Sequence, residues 1–231
     1  MDPLFLWPMI LPILFLFFYC VIYKKERMRE ALAILVAIAV MIVLYPPLMD
    51  LLATDILGLG YSAVKLILLV LLPIVCLLLF TRDRSFLSLK KYGVKKEGIK
   101  KSTLLFLILL PVMLIVTLIQ SLSLEGGGSP LFAYGSVMFF EAFTEEFLCR
   151  GVLLVFLMSI VDIRIAYFIS VMTFVLAHPQ YYLPLTLPII GVLVQAILTA
   201  EISRRSGNII GAWLLHGTNR FFSLVILPFV V

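Results

Sequence analysis

Apolar residues in this chain come in runs of about twenty, without the strict alternation of a strand or the narrow stripe of a soluble amphipathic helix. A run of that length, at about 1.5 Å per helical residue, covers the roughly 30 Å hydrocarbon core of a bilayer. The pattern predicts about eight spans, near 4–23, 31–49, 61–81, 103–123, 131–158, 164–179, 186–202 and 207–229. Prolines inside several runs, among them Pro46, Pro47, Pro73, Pro111 and Pro188, predict kinked or interrupted helices, which membrane bundles tolerate. The stretch Gly126-Gly127-Gly128-Ser129-Pro130 predicts a loop. Nothing in the pattern suggests an internal repeat or a membrane barrel. The expected fold class is all-α: a polytopic membrane bundle of about eight transmembrane helices, forming a single membrane domain over 1–231.

Composition agrees. The chain is 63% hydrophobic, with a mean hydropathy of +1.18 and 13% charged residues, against about 25% charged in an average soluble domain. A water-soluble core is excluded. The net charge of +5 does not point to nucleic acid, because the basic residues flank the apolar runs. Of the 18 basic residues, 15 fall in the loops near 24–30, 82–102, 159–164 and 202–207, all on one side of an eight-span chain. The positive-inside rule puts that side in the cytoplasm and both termini outside. The N-terminal run lacks the basic start of a secretory signal and predicts a retained first span. Short loops and the lack of targeting extensions suggest a prokaryotic plasma membrane. The basic, partly apolar segment 82–102 reads as a solvated orienting loop, or as a surface resting on anionic headgroups. Cys20, Cys76 and Cys149 lie in apolar runs at unrelated spacings, so no disulfide framework is expected.

The fifth run breaks its own pattern. Glu141, Glu145, Glu146 and Arg150 sit inside a segment expected to cross the membrane. Each charge at a helix centre costs roughly 2.5–3.5 kcal/mol facing lipid, and such residues normally face a cavity, a pathway or a reaction centre. Glu146 and Arg150 are four apart and share a helix face, so they can pair. Glu145 is turned by about 100° from Glu146 and shares its face with Glu141, which leaves Glu145 as the free carboxylate. Among the basic residues outside loops, Lys65 lies near the outer end of its run, where it can snorkel. The two histidines, His178 and His216, fall in the sixth and eighth runs. At about 1.5 Å per residue, His178, His216 and Glu145 lie roughly 21, 14 and 20 Å from the basic end, near mid-membrane, so they could meet in one cavity. Asn219 and Arg220 follow His216 by three and four positions, on its side of the helix. Phe174 precedes His178 by one turn and can pack on its ring.

Glu145-Glu146-x-x-x-Arg150, then Phe174-x-x-x-His178, then His216 with Asn219 close behind, resembles the CAAX protease and bacteriocin-processing (Abi) family of intramembrane proteases. The resemblance covers roughly residues 131–222. It implies an eight-helix fold with a buried conical cavity and a glutamate-dependent peptidase mechanism. By position, Glu145 would be the general base that activates water, assisted by His178. His216 and an asparagine of the same helix would stabilise the oxyanion, and Glu146 with Arg150 would be the orienting pair. The family's asparagine normally stands four residues after the histidine. Here Arg220 takes that place, so either Asn219 supplies the amide or Arg220 replaces it. Glu141 is outside the motif and has no assigned role.

The implied activity is an endopeptidase acting on a membrane-associated protein or peptide, with that substrate and the bilayer as partners and no nucleic acid. No cofactor is expected. Two glutamates and two histidines could ligate zinc, which is the alternative, but no HExxH helix is present and Arg150 would repel a cation. A proton-coupled transporter is a rival from another class, although it would be expected to show inverted repeats. A silent immunity or scaffold protein is the other, raised by Arg220.

Overall fold

The computed structural model describes residues 6–52, 59–122, 135–182 and 186–229. The predicted glycine-rich loop at 126–130 lies outside them. Among the described residues eight helical rods follow in the expected order. They are α1 (Ile10–Tyr23), α2 (Met28–Leu52), α3 (59–81), α4 (Ile99–Leu122), α5 (135–156), α6 (Ile163–Leu176), α7 (Pro188–Ser206) and α8 (210–226). Among the described residues three helices, Lys25–Leu52, Gly60–Thr81 and Ile99–Leu122, are long and apolar enough to cross a membrane. Trp7–Tyr23 and Ile163–Leu176 are shorter apolar helices. In α5, α7 and α8 the apolar character is diluted by the charged and polar residues discussed below. The fold is an all-α membrane bundle, and the protein is an integral membrane protein.

Three rods change pitch partway. In α3 a π-helical stretch, Leu66–Leu71, separates Leu59–Lys65 from Leu72–Thr81. In α5 the α-helix Gly135–Glu146 widens into the π-helical Phe147–Phe156, and α8 does the same at Phe222–Ile226. Such widened turns are frequent at functional sites. In α5 the change falls directly after the Glu145-Glu146 pair.

α5 is the centre of the bundle. It packs on α3, α6, α7 and α8, while α1 packs on α2 and α6, and α4 packs on α7 and α8. Close approach to α8 depends on small residues. A side chain at Gly217 would run into the Phe139 ring, and one at Gly211 into the Ser102 backbone oxygen. Polar contacts tie α4 to the start of α8 and the turn before it: Gly211 N–H donates to Ser102 Oγ at 2.8 Å, and Ser102 Oγ donates to the Asn208 carbonyl at 3.2 Å. Small and hydroxyl residues at contacts of this kind are what membrane helices use in place of a hydrophobic driving force. The outward face of α4, including Leu104, Leu107, Ile108, Ile115 and Ile119, is exposed and apolar, as a lipid-facing surface must be.

The basic segment after α3 is an ordered element. Two short 3-10 turns, Arg84–Leu87 and Leu89–Tyr92, are docked by Tyr92. Its ring is fully buried against Phe147 and Phe156 of α5, and its hydroxyl donates to the Phe86 carbonyl at 3.0 Å. The segment therefore packs on the end of the helix that carries the acidic cluster.

Candidate functional site

Helix α5 presents its charges on two faces, as the four-residue spacing requires. Glu146 and Arg150 point together into the bundle, both with no exposed area. Glu146 Oε2 lies 3.2 Å from Arg150 Nε. That Nε donates to Thr199 Oγ1 at 2.8 Å, so the contact to Glu146 is an ion pair without a directed hydrogen bond. The rest of the guanidinium is also committed. It donates to Ser170 Oγ, to the Ser170 and Ala196 carbonyls and again to Thr199, and it stacks 4.6 Å from the Phe174 ring centre. Arg150 thereby fastens α5 to α6 and α7.

Glu146 has a second duty. Its Oε1 lies 2.9 Å from His216 Nδ1, and because a carboxylate only accepts, Nδ1 carries the proton. His216, 3% exposed, is thus held with Nε2 turned the other way, 3.6 Å from Glu145 Oε2. The two faces of α5 meet at this one imidazole. A carboxylate that orients the far nitrogen of a working histidine is a recurring arrangement.

His178 is placed differently from the sequence expectation. It lies beyond the end of α6, which stops at Leu176, and has non-helical backbone angles (φ −118°, ψ 59°). Pro179 is the reason: proline disfavours helical geometry in the residue before it. The His178 Nδ1–H donates to the Phe174 carbonyl at 2.8 Å, one of the last-turn carbonyls of α6 that lack a helical partner. The neutral ring therefore carries its free lone pair on Nε2. Its plane is held between Phe174, with centroids 4.8 Å apart, and Tyr181, stacked at 6.2 Å. Phe174 also touches His216 edge-on at 5.7 Å, so both histidines flank one ring. The two histidines and Glu145, expected to be able to meet in one cavity, do line the same one.

Glu145 is not the free carboxylate expected from its helix face. Its Oε1 lies 2.5 Å from Lys65 Nζ and 3.4 Å from an Arg220 nitrogen. Lys65 does not snorkel to the surface: it is 4% exposed and also lies 3.6 Å from Glu141 Oε2. A lysine stem reaches water only where no buried anion competes for the ammonium, and here two do. Glu141, 5% exposed, bonds Arg220 at 2.8 Å. The sequence left Glu141 without a role and assigned Lys65 to the interface. The one available signal was that Lys65 is a basic residue inside an apolar run.

Asn219 and Arg220 both line the cavity but are held in different ways. Asn219 accepts from the Thr117 hydroxyl at 2.7 Å and donates through Nδ2 to Gln195 Oε1 at 2.9 Å. One Nδ2 hydrogen is used there; a primary amide has a second. Arg220 is bound to the two carboxylates. Thr117, Gln195, Ser170 and Thr199, which orient these groups, could not be singled out from sequence because each is an ordinary polar residue in a helix.

The cavity has a volume of about 400 Å³ and lies between α4, α5, α7 and α8. Glu145, His178, His216, Asn219, Arg220 and Lys65 line it. A second, more apolar chamber of about 160 Å³ lies on the far side, against Met9, Met41 and Leu69, and shares Glu145, Lys65, Phe174 and His178 as its wall. Among the described residues no three His, Cys, Asp or Glu side chains converge in a metal-ligating arrangement. The Glu145 carboxylate faces Lys65, Arg220 and His216 instead.

A polar chamber holding a carboxylate, two oriented imidazoles and a primary amide has the parts that acyl transfer to water requires. The comparisons with known proteins agree with that chemistry. Residues 127–222 match the family model described as Type II CAAX prenyl endopeptidase Rce1-like. No curated protein and no solved structure gives a match to the chain. The matched segment runs from before α5 into α8 and contains all three motifs, while α1 to α4 lie outside it. Glu145, His178 and His216 lie in order within the matched segment and line one cavity, so residues 127–222 are similar to the Type II CAAX prenyl endopeptidase Rce1-like family in both motif order and site geometry.

Proposed function

We propose that the protein is an intramembrane endopeptidase that hydrolyses a peptide bond of a membrane-associated protein or peptide, with Glu145 as general base. The observation that carries this reading is the convergence of Glu145, His178 and His216, from three separate segments of the chain, on one buried polar cavity. In the proposed reaction a water lies between Glu145 and His178, whose unprotonated Nε2 accepts a hydrogen bond from one of its hydrogens, which stays on the water oxygen. Glu145 takes the other proton as the water oxygen bonds to the scissile carbonyl carbon. The carbonyl oxygen becomes an oxyanion, which His216, protonated at Nε2 while Glu146 holds Nδ1, and the free N–H of Asn219 stabilise. The tetrahedral intermediate collapses as Glu145 returns its proton to the leaving nitrogen, giving a carboxylic acid and an amine; the acid then passes its remaining proton to the amine. Arg220 is engaged by Glu141 and Glu145, which favours Asn219 as the amide donor. No step calls for a metal, so a chelator should leave the rate unchanged.

The test uses purified protein in lipid vesicles and a peptide tethered to the membrane. Glu145→Gln and His178→Ala should each lower cleavage by about 10² to 10⁴, the usual worth of a general acid–base group. Full activity in Glu145→Gln would overturn the mechanism. Substrate-dependent proton flux across the vesicle, without cleavage, would favour a transporter instead. In this reading both termini face away from the cytoplasm, and the membrane is a prokaryotic plasma membrane.

A further inference from the structure

Lys65, Glu141 and Arg220 have no place in the motif set, and Lys65 lies outside the family-matched segment altogether. They nevertheless form a closed set with Glu145. Each of the two cations touches each of the two carboxylates: Lys65 with Glu145 at 2.5 Å and Glu141 at 3.6 Å, Arg220 with Glu141 at 2.8 Å and Glu145 at 3.4 Å. On the other face of α5, Glu146 and Arg150 neutralise each other. The set of four and the Glu146–Arg150 pair are thus each charge-balanced, which is the condition for burying so many ionised groups in a membrane bundle.

The distances assign unequal tasks within the set. Arg220 stands where the family pattern has an uncharged asparagine. An unmatched guanidinium there would compete for the proposed base. Glu141, the other residue foreign to the motif, takes the shorter of the two Arg220 contacts. Lys65 in turn takes the shortest contact of the set, on Glu145 Oε1. That leaves Oε2 directed at His216 Nε2, the side on which the cavity lies.

We infer that Lys65, Glu141 and Arg220 are positioning residues for Glu145: Glu141 compensates the charge that Arg220 introduces, and Lys65 fixes the carboxylate so that one oxygen is held and the other is presented to the cavity. The inference rests on the reading of Glu145 as the base. It makes Arg220 a partner of Glu141, without a direct part in oxyanion binding.

Two charge-balanced double variants separate compensation from positioning. Glu141→Gln with Arg220→Asn leaves Lys65 facing Glu145. Lys65→Met with Glu141→Gln leaves Arg220 facing Glu145. Each would be compared with its single variants for thermal unfolding in lipid vesicles and for kcat and KM on the tethered peptide. The singles should unfold at lower temperature than the native protein, because each strands a buried charge. Both doubles should regain most of that loss, so that the paired substitutions are strongly non-additive. The Glu141→Gln/Arg220→Asn protein should also recover at least about tenfold in kcat over Arg220→Asn alone, whereas Lys65→Met/Glu141→Gln should stay at least about tenfold below native in kcat with KM little changed. Additive losses of stability in both doubles would overturn the compensation. Native-like kcat in Lys65→Met/Glu141→Gln would overturn the positioning role of Lys65. Unfolding needs no turnover, so lack of cleavage even in the native protein would count against the protease reading while the unfolding data still decide the compensation.

Discussion

Arg150 shows how much one side chain can hold when it has no water to fall back on. All of its nitrogens face acceptors on α5, α6 or α7, and none of its surface is exposed. Removing one partner of a fully buried pair leaves the other uncompensated, at a cost of roughly 3–5 kcal/mol. Arg150→Met should therefore destabilise by about that amount in denaturant unfolding, through the stranded Glu146. Arg150→Lys should recover only part, because a lysine keeps the charge but cannot reproduce the planar fork that spans Thr199, Ser170 and Ala196. The Glu146–Arg150 pair was legible in the sequence because its geometry is local: four residues apart on one helix suffices. The pairing of Glu145 with Lys65 was not legible. It joins residues 80 apart, and only the docking of α3 on α5 brings them together. Helix-face reasoning sorted the two glutamates correctly and then misjudged what each would meet.

Between residue and bundle, the end of α6 sets where His178 stands. Run lengths predicted the eight rods well, since the bilayer dimension governs them. They placed His178 inside a rod, because hydropathy does not register that an apolar run may leave the helix before it ends. Pro179 carried that information. Replacing it by alanine should allow helical geometry at residue 178 and swing the ring away from Glu145. The expected outcome of Pro179→Ala is a fall in kcat of about an order of magnitude with little change in unfolding temperature, since proline's local constraint is relaxed while the core contacts persist. An unchanged kcat would show that the ring finds the same place without its turn. The widened pitch of α5 after Glu146 was equally invisible in the sequence.

Across the whole molecule, the distribution of basic residues makes a claim about orientation that labelling can check. Cys20, Cys76 and Cys149 are buried and unpaired, so an impermeant thiol reagent should find little background. Lys96→Cys should react only from the cytoplasmic side of intact cells or oriented vesicles, and Asp50→Cys only from the other; the reverse pattern would invert the topology. The closed ring of four charges has a further consequence, for inheritance and dissection. The family-matched segment supplies both acids of that ring but only one of its cations, and the other arrives from α3. That segment is therefore not a transferable module. Expressed alone, a piece beginning after α4 would hold one unmatched carboxylate in its interior and should be degraded. Co-expressed with the 1–122 piece it should accumulate, and it should fail to do so when that piece carries Lys65→Met. Among relatives, an acid at the position of Glu141 and an arginine at that of Arg220 should be gained or lost together, with a lysine on the third rod wherever both are present.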